Sequence, residues 1–160
     1  MIADWSEFNA AMAGATAALA GLVIVAASVN IREIVDSKTL TARLLAGIAA
    51  LVLALTVSAL GLVPGIDPLW FGVLTLAVTL LTTALQVNVA RLIAHDPDPA
   101  DRARTLKYLV GFLPLAGYAA AGVLVTLQHP SGMYLVAVGC VLAIVSAIVV
   151  SWVALVEVLR

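Results

Sequence analysis

Charged residues are scarce in this chain, and their scarcity excludes a water-soluble globule. Only 11% of the 160 residues are charged, whereas 64% are hydrophobic. A soluble domain is about one-quarter charged and about half apolar. The mean hydropathy of +1.17 therefore indicates that lipid is the solvent of this protein.

Residues that carry most enzyme chemistry are also missing from the apolar part of the chain. The single Cys140 excludes an internal disulfide and a cysteine-rich metal site. No Asp, Glu, Lys, Arg or His lies in the middle of the long apolar runs, although proton relays and ion-coupled carriers usually need such groups there. We therefore expect no enzyme activity, no cofactor and no bound metal. The net charge of −1 gives no reason to expect a nucleic-acid partner.

Five apolar runs fill most of the chain, and each is about as long as the ~20 residues that cross a bilayer. Backbone groups in hydrocarbon must bond within their own segment, so such runs form helices. The sequence predicts an all-α membrane protein, a five-helix transmembrane bundle that forms a single transmembrane domain over residues 1–160. The helices are expected at about 10–31, 44–63, 69–90, 106–127 and 133–156.

Residues typical of helix ends separate these runs. Asp67 suits an N-cap and Pro68 the first position of the third helix. Asp98 and Pro99 repeat this pattern before the fourth helix. The outer connections are short, so we expect two tight helical hairpins.

The basic residues predict the orientation. With five helices, all of them fall on one side of the membrane, which the positive-inside rule makes cytoplasmic. The N-terminus is then outside and the C-terminus is cytoplasmic. The acidic start of the chain does not resemble a signal peptide, so the first helix is expected to be retained. We expect a multi-pass protein of the plasma membrane, in a bacterium the inner membrane. The basic residues are Arg32, Lys38, Arg43, Arg91, Arg102, Arg104, Lys107 and Arg160.

The third helix carries a polar stripe on one face. It can line a hydrated path, or its side chains can bond within the helix and across to neighbours. We favour packing, and a pore remains the alternative. The stripe consists of Thr75, Thr79, Thr82, Thr83 and Gln86.

Pro114 lies inside the fourth helix, where it removes a backbone hydrogen bond and favours a kink. The kink can act as a hinge, but a fixed bend is the more common outcome. Tyr118, one turn further on, is placed to donate to a carbonyl freed by the proline.

Three basic residues, Arg102, Arg104 and Lys107, lie just before the fourth helix. At the membrane surface they are expected to contact lipid headgroups. Membrane lipids are therefore the first expected partners of this chain.

Small residues recur every four positions on three helices, and such faces let helix backbones approach closely. A five-helix subunit uses some of them internally, which leaves one for a homo-oligomer or a partner membrane protein. The three faces are Ala10, Gly14 and Ala18; Ala46, Ala50, Ala54 and Ser58; and Gly139, Ala143, Ala147 and Ser151.

The first helix resembles the start of a family of small bacterial multi-pass membrane proteins. The similar residues are Trp5–Phe8, Gly14, Ala17–Leu22 and Ser28–Ile31. Some members of that family are described as modulators of the FtsH protease. The resemblance covers helix one alone and assigns no functional residue.

Two functions are consistent with these patterns. The first is a non-enzymatic accessory, regulatory or assembly component that acts through helix–helix contacts. The alternative is a homo-oligomeric channel or passive transporter lined by the polar stripe of helix three. We favour the first, because the chain has small-residue faces and a small soluble portion and lacks catalytic chemistry.

Overall fold

The computed structural model describes residues 2–95 and 104–158, and every regular element in these ranges is helical. A single 3-10 turn, Ala3–Trp5, precedes the first helix. The six α-helices are α1 (Ser6–Val29), α2 (Ile31–Asp36), α3 (Lys38–Leu60), α4 (Pro68–His95), α5 (Arg104–Thr126) and α6 (Ser131–Val158).

Four helical stretches among the described residues are long and apolar enough to cross a membrane. The protein is therefore an all-helical, multi-pass membrane protein. In α5 the described apolar stretch, Gly111–Thr126, is shorter. The four longer stretches are Ala3–Val29, Lys38–Leu60, Pro68–Leu92 and Ser131–Val153.

Helix α3 lies at the centre of the bundle. It packs against α1 on one side and against α4 and α6 on others, while α5 packs between α4 and α6. Leu53 and Val57 of α3 are fully buried. They join Phe71, Tyr118 and Met133 in the main core, so four helices share one apolar centre.

Local hydrogen bonds define where helix α4 begins and where helix α5 ends. The predicted start of α4 is confirmed, because Pro68 is its first residue and the Asp67 Oδ1 accepts a 2.8 Å hydrogen bond from the Leu69 N–H. Helix α5 ends in a Schellman motif, in which the His129 N–H donates to the Leu124 carbonyl at 2.8 Å. Gln128 holds the left-handed position of this motif with a φ of 56°.

The first predicted helix corresponds to α1 with shifted ends, and a separate short helix follows it in the structure. We expected a helix over residues 10–31, but α1 runs from Ser6 to Val29, and Asn30 leaves helical geometry with φ −114° and ψ 33°. The separate helix α2 then turns toward α3. The Thr41 hydroxyl holds it there by donating to the Ile34 carbonyl at 2.7 Å.

Helices α4 and α5 approach closely where both carry glycine. An ideal Cβ on Gly72 would lie 2.8 Å from the Gly122 carbonyl oxygen and would also meet Thr126. Real Cβ atoms essentially never come so close to a backbone oxygen. The contact between α4 and α5 therefore requires a glycine at position 72.

We predict that Gly72→Ala lowers the free energy of unfolding by about 1–3 kcal/mol, because the added methyl group overpacks this contact. The measurement is SDS-induced unfolding in mixed micelles, followed by circular dichroism. Gly14→Ala is the matched control, since a Cβ on Gly14 meets nothing within 4 Å. Equal stability of Gly72→Ala and Gly14→Ala would contradict the close approach.

Candidate functional sites: buried polar residues and an open helix face

The polar stripe of α4 faces the interior over most of its length. Thr75, Thr79 and Thr82 are buried, whereas Thr83 and Gln86 are partly exposed. The hydroxyls of Thr79 and Thr83 each donate at 2.7 Å to the carbonyl one turn back, and Thr82 does so at 2.9 Å. Three of the four threonine hydroxyls therefore bond to their own helix, as is usual for threonine in apolar helices.

Gln86 lies against the backbone of α5. A Cβ on Gly111 would overlap the side-chain amide nitrogen of Gln86, so the amide lies close to this glycine. Pro114, three residues further along α5, is buried inside a continuous helix. The stripe thus extends from the bundle interior to the segment of α5 that contains the proline. A pore along the stripe and a hinge at Pro114 both remain predictions.

Four polar side chains that the sequence analysis did not assign to a site form a second feature, which we call the polar junction. It consists of Asn9 of α1, Ser58 of α3, Tyr118 of α5 and Cys140 of α6, each at most 1% exposed. The Cys140 thiol lies beside the hydroxyls of Tyr118 and Ser58. The Asn9 amide lies against Gly61, one turn after Ser58. The polar junction therefore links four helices.

Several atoms of the polar junction have no hydrogen-bond partner among the described residues. These are both amide atoms of Asn9 and the hydroxyls of Ser58 and Tyr118. A buried polar group without a partner costs about 1–3 kcal/mol. The prediction that the Tyr118 hydroxyl donates to a carbonyl of its own helix is wrong. The Tyr118 ring packs against Gly139 of α6, and its hydroxyl has no hydrogen-bond partner among the described residues.

The polar junction contains no carboxylate, imidazole or amine that could act as a base toward its thiol or hydroxyls. Among residues 2–95 and 104–158, no group of three or more His, Cys, Asp or Glu side chains is placed to hold a metal ion. The signal in the sequence was Asn9, the one amide side chain of α1.

The basic residues predicted to contact lipid headgroups fall at the edge of the described chain. Arg102 lies outside the described residues. Arg104 and Lys107 belong to the first two turns of α5, and their side chains also lie outside the described part. Headgroup contacts by these three residues remain a prediction.

Two of the three small-residue faces are used within the subunit. The face of α3 from Ala46 to Ser58 is buried, and so is the face of α6 from Gly139 to Ser151. The two helices pack against each other. A Cβ on Gly47 of α3 would lie 3.6 Å from the Ser151 Oγ, an ordinary van der Waals contact.

The third small-residue face is not used. Ala10, Gly14 and Ala18 of α1 are all exposed, and a Cβ on Gly14 or on the nearby Gly21 meets nothing within 4 Å. Asn9 and Thr16 are the only buried residues of α1. We call this surface, defined by Ala10, Gly14, Ala18 and Gly21, the open α1 face.

Comparison with known proteins identifies no family for this chain. No protein-family model matches the chain, and no curated protein or solved structure matches it significantly. The candidate sites therefore rest on the geometry described above.

We predict that Tyr118→Phe leaves the free energy of unfolding unchanged or raises it by up to about 1 kcal/mol. The substitution removes a buried hydroxyl that has only a weak neighbour, the Cys140 thiol, and keeps the ring. Tyr118→Ala should instead cost about 3–5 kcal/mol, because it leaves a cavity in the core. The measurement is SDS-induced unfolding. A loss above 1 kcal/mol for Tyr118→Phe would reveal a strong hydrogen bond of this hydroxyl.

Proposed function

We propose that this chain is a non-enzymatic accessory or regulatory membrane protein that acts through helix–helix contacts. The open α1 face is its contact surface, with a second copy of the chain or another membrane protein as the partner. The observation that carries this proposal is that Gly14 and Gly21 are exposed, and a Cβ added to either would meet no atom of another helix within 4 Å.

The physical basis is the weakness of the hydrophobic effect between helices in lipid. Lipid tails are as apolar as leucine, so helices associate through close packing, and small residues permit that packing. This chain uses the same pattern internally, where the small faces of α3 and α6 meet. Large apolar residues of α1 such as Leu22 and Val25, which are 64% and 61% exposed, flank the glycines and can surround a partner helix.

The family resemblance falls on the same helix. Residues Gly14 and Ala17–Leu22, which resemble a family with members described as modulators of the FtsH protease, include much of the open α1 face. A regulatory contact with a membrane partner through α1 accords with that resemblance.

We propose five membrane crossings, by α1, α3, α4, α5 and α6, with the N-terminus outside and the C-terminus in the cytoplasm of a bacterium. Helix α5 has 23 residues, or about 35 Å at 1.5 Å per residue, which exceeds a hydrocarbon core of about 30 Å. It packs along both α4 and α6, which are themselves long enough to cross. Five crossings also place every basic residue on one side.

The topology predicts the labelling of single cysteines introduced into a Cys140→Ala background. A membrane-impermeant maleimide should label His129→Cys in intact cells, and Lys38→Cys only after lysis. Both positions are exposed in the structure. If α5 did not cross, positions 38 and 129 would lie on the same side and would be labelled together.

The contact surface predicts that Gly14→Ile weakens association without loss of fold. A branched side chain keeps a partner backbone away, and we expect the association constant to fall about tenfold or more, equal to about 1.4 kcal/mol. Native mass spectrometry of protein released from nanodiscs measures the assembly. Ala77→Ile, at an exposed alanine of α4, is the control and should assemble like the unaltered chain.

A photo-crosslinking residue at position 14 extends this test to other membrane proteins. If the unaltered chain is a monomer and position 14 captures no protein in native membranes, α1 is not a contact surface. A closed ring of four to six copies that conducts a solute, with flux altered by Val at Thr79 and Thr82, would support the channel alternative instead.

A further inference from the structure

A shallow groove lies at the end of the bundle opposite the α3–α4 connection. It is formed by the α2–α3 corner and the last turns of α4, and its volume is about 420 Å³. Leu45, Val89 and Leu92 contribute its apolar lining, and Lys38 and Asn88 contribute polar groups. It involves neither α1 nor the polar junction. We call it the inner groove.

The polar and apolar parts of the inner groove are ordered along the helix axis. Lys38 and Leu45 are seven residues apart on α3, so they share a face, with Lys38 about 10 Å closer to the helix end. Lys38 therefore lies toward the aqueous end and Leu45 toward the membrane interior. Leu45 and Leu92 are 48% and 44% exposed, so the groove opens to the surroundings of the bundle.

The charge of the residues that line the inner groove indicates what kind of molecule binds there. Lys38 is exposed and is the charged residue among those that line the groove. The Thr41 hydroxyl, also in the groove, is already bonded to the Ile34 carbonyl. A single cation at the aqueous end of the apolar inner groove matches a molecule with an anionic head and an apolar tail.

We propose that the inner groove binds one anionic phospholipid. The Lys38 ammonium pairs with the phosphate, the Asn88 amide donates to the ester region, and one acyl chain lies along Leu45 and Val89. A partner helix fits less well, because 420 Å³ is roughly the volume of one helical turn about 10 Å wide. The site is separate from the open α1 face, so it can fail while the proposed function stands.

Native mass spectrometry tests the site. The purified protein is titrated with phosphatidylglycerol and, separately, with phosphatidylcholine of identical acyl chains. We expect one phosphatidylglycerol to be retained in preference to phosphatidylcholine. Lys38→Gln should weaken its retention about fivefold, the effect of one basic residue at a lipid surface, and Lys38→Arg should preserve it. Arg32→Gln, which removes an exposed cation outside the groove lining, is the matched control and should have little effect.

A second variant tests the apolar part. Leu45→Trp should block the groove and reduce retention of both lipids, whereas Val52→Trp, seven residues further along an exposed side of α3, should not. Circular dichroism confirms the fold of each variant. Equal effects of Lys38→Gln and Arg32→Gln, or no effect of Leu45→Trp, would overturn the site. Displacement of the lipid by millimolar inorganic phosphate would show a headgroup site alone and would overturn the phospholipid as occupant.

Discussion

Close contact between helix backbones, at positions without bulky side chains, is the interaction on which the rest of this bundle depends. Lipid offers no hydrophobic force to press helices together, so their attraction comes from packing. A Cβ on Gly117 would lie 3.3 Å from the Gly139 Cα, so the backbones of α5 and α6 come close to each other there. A closer approach joins α4 to α5 at Gly72 and Gly122, and α3 packs against α6 at ordinary van der Waals distance.

The same close packing explains how the bundle treats its polar groups. Most threonine hydroxyls of the bundle bond one turn back on their own helix, so they need no partner on another helix, and the buried Thr75 hydroxyl is an exception. Asn9, Ser58 and Tyr118 have no such bond, and all three lie where helices cross. The described interior therefore contains polar residues that are satisfied on their own helix and others, including the polar junction, that have no hydrogen-bond partner.

Features set by local chemistry could be predicted from the sequence. The apolar runs indicated helices because backbone groups in hydrocarbon must form hydrogen bonds within their own segment. Asp67 and Pro68 indicated the start of α4. The threonines of α4 were predicted to share a face, and three of them are buried together. Other features depend on which helices become neighbours. That arrangement determines that α1 is the helix with an exposed small-residue face, and it brings Asn9 into contact with Gly61. No local sequence pattern predicts either feature.

The central position of α3 has a consequence for how the chain is made. Its contact with α1 joins neighbours along the chain, whereas its contact with α6 joins Ala46–Ser58 to residues synthesised some ninety positions later. During synthesis the α3 face must therefore stay in lipid until the last helix has inserted. In that interval the nascent protein presents two small-residue faces instead of one. Premature association with other membrane helices is thus a hazard of biogenesis that ends only when α6 takes its place.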